Sequence, residues 1–187
     1  MTAPAAPPKA SAAPTGPAII DRMNPFDRAD VEAVSALHEQ FLADSVVSKM
    51  GPAFVRNVYY SKLLKDKLYD CFVCRHDGKV VGFLSYTDRP GDFMSRGLKR
   101  HFFSVAWNVG WTVLTSPKRL KDVLFVLKLM TARGESGNDE YLKSGAAEAL
   151  SMAVFAGFQK LVPEGGKSRV AVRLIEEMAA DLGKRGV

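Results

Sequence analysis

Only two cysteines and three histidines occur among the 187 residues, and each scarcity excludes a class of chemistry. Cys71 and Cys74 lie in one apolar, β-like run, Asp-Cys-Phe-Val-Cys. Side chains three apart on a strand point to opposite faces, so the pair builds neither a shared metal site nor a redox couple. The pattern is that of buried free thiols in a reducing compartment, and a cytoplasmic setting is expected. His38, His76 and His101 lack ligand spacing with one another or with acids, so no metal site is expected. No apolar run reaches the ~20 residues needed to span a bilayer, and the N-terminus lacks the basic start and apolar block of a signal peptide.

Acidic residues are in deficit as well: 20 against 26 Lys and Arg give a net charge of +6 and a pI near 9.4. That balance favours polyanionic ligands, whether nucleic acid, an acidic membrane or a phosphorylated cofactor. Basic and aromatic residues do not interleave on a recognisable module, so specific nucleic-acid binding is not expected. A hydrophobic fraction of 47% and a charged fraction of 25% are those of an ordinary globular chain, and the length suits one domain with its own core.

Residues 1–17 are almost entirely Ala, Pro, Ser, Thr and Gly, a composition that cannot offset chain entropy by burial and reads as a disordered leader. The domain is expected over 18–187. Residues 18–23 form a short strand candidate, and Asn24-Pro25 ends it. Asp27 then caps a helix to about Asp44, with Val31, Val34, Leu37, His38 and Phe41 at helical spacing. His38 falls on the buried stripe, where a hydrogen-bonded packing role is expected. Pro52 suits the first turn of a second helix with Val55, Val58, Tyr59 and Leu63 inward.

Residues 68–76 and 79–87 are rich in β-branched and aromatic residues, and Asp77-Gly78 between them is the dipeptide a type I′ hairpin requires. Residues 91–133 predict an inserted helical pair: a nearly continuous apolar segment from Phe102 to Leu114, bracketed by Arg96, Lys99, Arg100 and by Lys118, Arg119, Lys121, then a helix opened by Pro117 with Leu120, Val123, Leu124 and Leu127 on one stripe and Phe125, Val126 and Leu129 widening it. Residues 93–130 could cap the domain's own core, close over a substrate pocket, or dock on a membrane or protein partner. Residues 139–161 fit either a buried central strand near Glu148 or a helix, because so short an apolar run does not discriminate. From Ser168 the helix is plain, with Val170, Leu174, Ile175, Met178 and Leu182 inward and Gly186 just past its end.

The segment from Val162 to Ala171, Val-Pro-Glu-Gly-Gly-Lys-Ser-Arg-Val-Ala, is a glycine-containing turn feeding a helix, and helix starts hold anions. Gly166-Lys167-Ser168 also resembles the end of a nucleotide-binding P-loop, but the glycine that motif needs five residues before Gly166 is Leu161.

The order strand, two helices, hairpin, inserted helices, strand, glycine turn, helix resembles that of the GNAT superfamily, the acetyl-CoA-dependent N-acetyltransferases, over the whole ordered chain. Asp30-Val-Glu-Ala-Val-Ser-Ala-Leu-His is similar to the family's first helix, Met50-Gly-Pro-Ala-Phe-Val-Arg to the second-helix opening of one bacterial branch, and Asp77-Gly-Lys-Val-Val-Gly-Phe-Leu to its hairpin. The resemblance implies an α+β, three-layer fold: a mixed, mostly antiparallel sheet flanked by helices. It implies acetyl transfer from acetyl-CoA to an unidentified small-molecule or peptide amine. Val162, Gly165, Gly166, Lys167, Ser168, Arg169 and Ala171 would then be cofactor contacts, and Glu148, with Glu140 second, candidate bases, although the residues by themselves favour reading both acids as solvated surface groups.

The family's loop carries Gln or Arg, two residues, Gly, one residue, then Gly or Ala. Here Gly166 stands at the first of these positions, Arg169 at the central glycine and Ala171 at the last. The family's sheet is completed by a further strand and helix, commonly with a tyrosine that protonates the leaving thiolate. The resemblance therefore implies a C-terminally incomplete domain: a truncated or impaired enzyme, one completed by another chain as an oligomer, or a non-catalytic relative that binds a partner.

Overall fold

The computed structural model describes residues 17–90, 93–132 and 147–187. Residues 1–16 of the leader, 91–92, and 133–146 with Glu140 among them lie outside the described residues. Among the described residues four strands form one antiparallel sheet in sequential order: β1 (Ala18–Arg22), β2 (Asp70–His76), β3 (Lys79–Thr87) and β4 (Glu148–Val154). Sequential pairing follows from the tight turn between β2 and β3. Asp77 and Gly78 adopt φ of +50° and +73°, the conformation a two-residue I′ turn demands. Of the two readings of 139–161 the strand is found, over Glu148–Val154 and paired with β3; the expected burial and central place are corrected, since among the described residues it is an edge strand with only Ala153 and Val154 buried.

The sheet is covered on both sides. On β2, Cys71 and Val73 join one cluster while Phe72 and Cys74 join the other, the alternation expected of a strand buried on both faces. Both thiols are buried and free.

The first face is covered by α1 (Arg28–Phe41), the short α2 (Val46–Lys49) and α3 (Pro52–Phe54), which runs on as wide π-type turns over Val55–Leu63. Asp27 caps α1 by accepting the Ala29 N–H at 2.9 Å. Val34, Leu37, Val58, Tyr59, Tyr60 and Phe83 lie at the centre of this cluster. His38 is fully buried there. Its Nδ1 is 2.7 Å from the Tyr60 hydroxyl and its Nε2 is 2.9 Å from Ser45 Oγ, the packing role its position suggests.

The insert joins the same layer and departs from the expected pair. It has three helices: α4 (Phe93–Arg100), α5 (Phe102–Thr115) and α6 (Leu120–Ala132). Gly97 lets α4 lie against Leu63 and Leu68, whose side chains a Cβ there would meet. The expected stripe of α6 is corrected: Val123 and Val126 face inward, while Leu120, Leu124 and Phe125 are exposed. The Leu127 and Leu129 side chains lie outside the described set.

The second face is covered by α7 (Val170–Arg185), through Val170, Leu174 and Leu182 against Phe72, Leu84, Tyr86 and Val154. Burying each such aliphatic side chain is worth about 1.5–3 kcal/mol. Ile175, expected inward, is exposed. Gly186 ends the helix in the left-handed region at φ +75°, which a residue without Cβ adopts at no steric cost.

Candidate functional site

Beyond Val154 the chain leaves the sheet edge and crosses its end. The Phe155 N–H donates to the Val81 carbonyl at 2.9 Å, and the Phe158 ring packs on His76 with centroids 5.2 Å apart. Glu164 N–H then donates to the Ala18 carbonyl at 2.7 Å, pinning the turn to the start of β1. Gly166 N–H closes the turn on the Pro163 carbonyl at 3.1 Å, with Gly165 at φ +71° and open space where a Cβ would stand. Val170 N–H reaches back to the Leu161 carbonyl at 3.0 Å, so α7 begins directly after the turn.

These bonds divide the expected anion contacts. The amides of Gly166 and Val170 are occupied. Among the described residues, those of Gly165, Lys167, Ser168 and Arg169, and of Ala171 in the first turn of α7, meet no acceptor. Lys167 and Arg169 are exposed, and Arg169 occupies the N-cap without a side-chain bond. Val162 is also exposed, and Ala171 is half-buried. Ser168 does not point outward to a ligand: its hydroxyl donates to Glu176 at 2.7 Å. That bond, and then the Arg173 guanidinium, hold the Glu176 carboxyl below the usual carboxylate range.

Glu148 sits at the other end of β4, half-buried and opposite Thr87. Six strand intervals at ~3.3 Å put it about 20 Å from Val154 at the far end of the strand, and the turn lies beyond that, pinned to β1 at the opposite edge of the sheet. Between Glu148 and Val154 the β3–β4 ladder slips: Ser85 pairs with Ser151 and Tyr86 with Ala149, leaving Leu150 as the extra residue of a bulge. A bulge releases main-chain groups from the ladder and bends the strand. Among the described residues β4 has no second neighbour, so its outer edge presents unpaired N–H and C=O groups.

One open cleft, about 410 Å³, lies elsewhere, between the start of α1 and the π-type turns, beside Phe26, Arg56 and Lys65. Another, about 280 Å³, is lined by Ile19, Ile20, Pro163, Glu164, Arg173 and Glu177, beneath the turn itself. No group of His, Cys, Asp or Glu among the described residues can hold a metal ion.

A charged cluster that the sequence did not reveal locks the far end of α7. Asp181 accepts from the Tyr86 hydroxyl at 2.6 Å and pairs with Arg22 and Arg185, while Arg185 also reaches Asp70 at 2.5 Å. Burial opposes ionisation of Asp181, but Tyr86, Arg22 and Arg185 outweigh it and hold the carboxyl below its ordinary range. These partners come from β1, β2, β3 and α7, up to 159 positions apart, so no local motif announces them. The result is a helix fixed at its C-terminal end while its N-terminal turn stays open.

No family model matches the chain. No curated protein and no solved structure matches it either.

Proposed function

We propose that this protein is a GNAT-like, acyl-CoA-dependent N-acyltransferase that moves an acetyl group from acetyl-CoA to an amine. The observation that carries the reading is the unit of β4, turn and α7: an edge strand, a crossing of the sheet end to β1, and a glycine turn with unpaired amides at a helix start. Such a start offers N–H groups and the positive end of the helix dipole to an anion. The 3′-phospho-ADP portion of the co-substrate would bind there, through Gly165, Lys167, Ser168 and Arg169. The pantetheine arm carries two amides, which an unpaired strand edge can hydrogen-bond as a further strand would.

Because the turn is pinned to β1 and β4 forms the opposite edge, the arm would cross the end of the sheet to reach β4, with the thioester directed toward the bulge at Leu150 and the carboxylate of Glu148. The reaction is direct. The amine nitrogen attacks the thioester carbon, the C–N bond forms, the C–S bond breaks, and the thiolate leaves to be protonated. Orientation and main-chain donation to the carbonyl oxygen supply most of the acceleration, and Glu148 takes the proton from the amine. The all-antiparallel sheet and the leucine at position 161 argue against the P-loop reading, in which the loop follows a buried parallel strand.

Titration calorimetry with acetyl-CoA, paired with thermal shift, tests the proposal. Saturable heat and a raised melting temperature are expected, with weaker binding for the dephospho form. No heat and no shift at millimolar ligand would sink it.

A further inference from the structure

Helix α5 is inside out. Its buried side is partly polar: Asn108 and Thr112 face the domain with Val105. Asn108 accepts from Asn57 Nδ2 at 2.9 Å and donates to the Ser104 carbonyl at 2.7 Å, Thr112 Oγ1 donates to the Asn108 carbonyl at 2.9 Å, and Lys62 donates to the Ser104 hydroxyl. Its outer side is apolar: Phe103 is 86% exposed, Trp107 74%, Trp111 53% and Leu114 73%. These four stand at i, i+4, i+8 and i+11, one stripe of a helix. Leu120, Leu124 and Phe125 of α6 add three more exposed apolar side chains. An apolar patch of this extent on a folded chain marks a surface that meets something other than water.

The charge around the stripe says what that is. Residues 93–132 hold seven Lys or Arg and a single acid, Asp122. Their net charge of +6 equals that of the whole chain, so the rest is balanced. Arg96, Lys99 and Arg100 precede α5, and Lys118, Arg119 and Lys121 follow it, bracketing the stripe at both ends. Among the described residues Lys99, Lys118 and Lys121 meet no carboxylate. Protein interfaces are depleted in lysine, whereas helices lying in a lipid interface combine Trp, Phe and Leu on one side with Lys and Arg that reach the headgroups. At 14 residues, or about 21 Å, α5 is too short to span a bilayer, and no helix among the described residues is long and apolar enough to do so.

We propose that the α5–α6 face docks the protein on the surface of a membrane rich in anionic phospholipid, with α5 lying in the interface plane. The proposal does not depend on the acyl-transfer reading. Docking places Trp107 and Trp111 at the headgroup level, where indole rings are favoured, and sets the basic residues at both ends of α5 against lipid phosphates.

The two tryptophans of this face are the only two in the chain, so intrinsic fluorescence reports on it directly. The full chain is titrated with vesicles of phosphatidylcholine containing phosphatidylglycerol and with vesicles of phosphatidylcholine alone, and flotation is measured in parallel. On acidic vesicles the emission moves to shorter wavelength, iodide quenching falls and the protein floats; high salt reverses most of this. The double variant Phe103→Gln, Leu114→Gln keeps both tryptophans and the buried contacts of α5, and is expected to weaken partitioning roughly ten-fold or more. Lys118→Gln with Lys121→Gln weakens it on acidic vesicles only. Unchanged emission with no flotation on acidic vesicles overturns the proposal. So does equal binding to neutral vesicles, or a concentration-dependent blue shift without lipid, which would assign the face to a second copy of the chain.

Discussion

Acidification should destabilise this fold chiefly through one residue, His38; burial raises the Glu39 carboxyl, which works the other way and adds stability as pH falls through its folded value, equally in the wild type and a His38 variant. The ring is fully buried, stacks on Phe83 with centroids 6.1 Å apart, and spends both nitrogens on Tyr60 and Ser45. Burial pushes its pKa down from 6.5 to about 4. The folded value lies below the unfolded one, so the unfolded chain takes up the proton first and stability falls as pH drops through 6.5 toward 4. At about 1.4 kcal/mol per tenfold, the loss is about 2.5 kcal/mol between about pH 7.5 and about pH 4.5, and about 3 kcal/mol when complete. Asp30 and Asp181 are held below their ordinary 3.8; what they contribute is lost only at lower pH, as it falls through their folded values. Urea unfolding of the wild type and His38→Gln across this range isolates the histidine. The variant starts less stable, because Tyr60 and Ser45 lose a fitted partner, and the gap between the two proteins narrows as pH falls. A gap that stays constant from neutral pH to about 4.5 would refute the reasoning.

Asp181→Asn should cost about 1–3 kcal/mol, since it removes a charge-assisted acceptor shared by Tyr86, Arg22 and Arg185; a lower urea midpoint with unchanged slope checks it. Gly51→Ala should lose about 2–4 kcal/mol, because Gly51 has φ +99° and an added methyl would overlap the Thr112 side chain. Thr112→Ser in the same background should recover part of that loss in a thermal melt, but not the backbone strain. Burial pushes the Cys74 thiol up to about 11 and Cys71 further; neither should react with a disulfide reagent at mildly alkaline pH until denaturant is added. Leu174→Ala should cost about 2–5 kcal/mol by opening a cavity between α7 and the sheet, read from the same urea curves.

The parts of the fold that were legible are those fixed by local chemistry. Asp77-Gly78 dictates a hairpin whatever surrounds it, Asp27 caps α1, and Gly186 stops α7. The alternation around Cys71 and Cys74 announced a strand covered on both faces. The insert was less legible because nine of the thirteen positions of α6 are apolar: two stripes satisfy helical spacing, and only the packing of Val123 and Val126 decides between them. The polarity of α5 was hidden for a related reason. Asn108 and Thr112 look like solvent-facing residues until Asn57 and Ser104 are seen beside them.

At the site, the turn and the start of α7 were readable from Gly165, Gly166 and the apolar period that follows. The use of individual groups was not. That Gly166 N–H closes on Pro163, and that Ser168 turns to Glu176, depend on geometry within the turn. The charged lock around Asp181 joins four elements far apart in sequence, and only the assembled sheet brings Arg22, Asp70, Tyr86 and Arg185 to one place.

The most direct test of the acyl-CoA reading is residue-resolved. A titration of isotopically labelled protein with coenzyme A, followed by amide nitrogen–proton NMR, reports each N–H of the turn separately. The account predicts that Gly165, Lys167, Ser168 and Arg169 shift first and furthest, joined along the edge of β4 by Leu150 and Ser151, while Gly166 moves less because Pro163 already holds its proton. A saturating titration in which the turn stays still, or in which the shifts centre on the cleft beside Phe26 and Arg56, would contradict it.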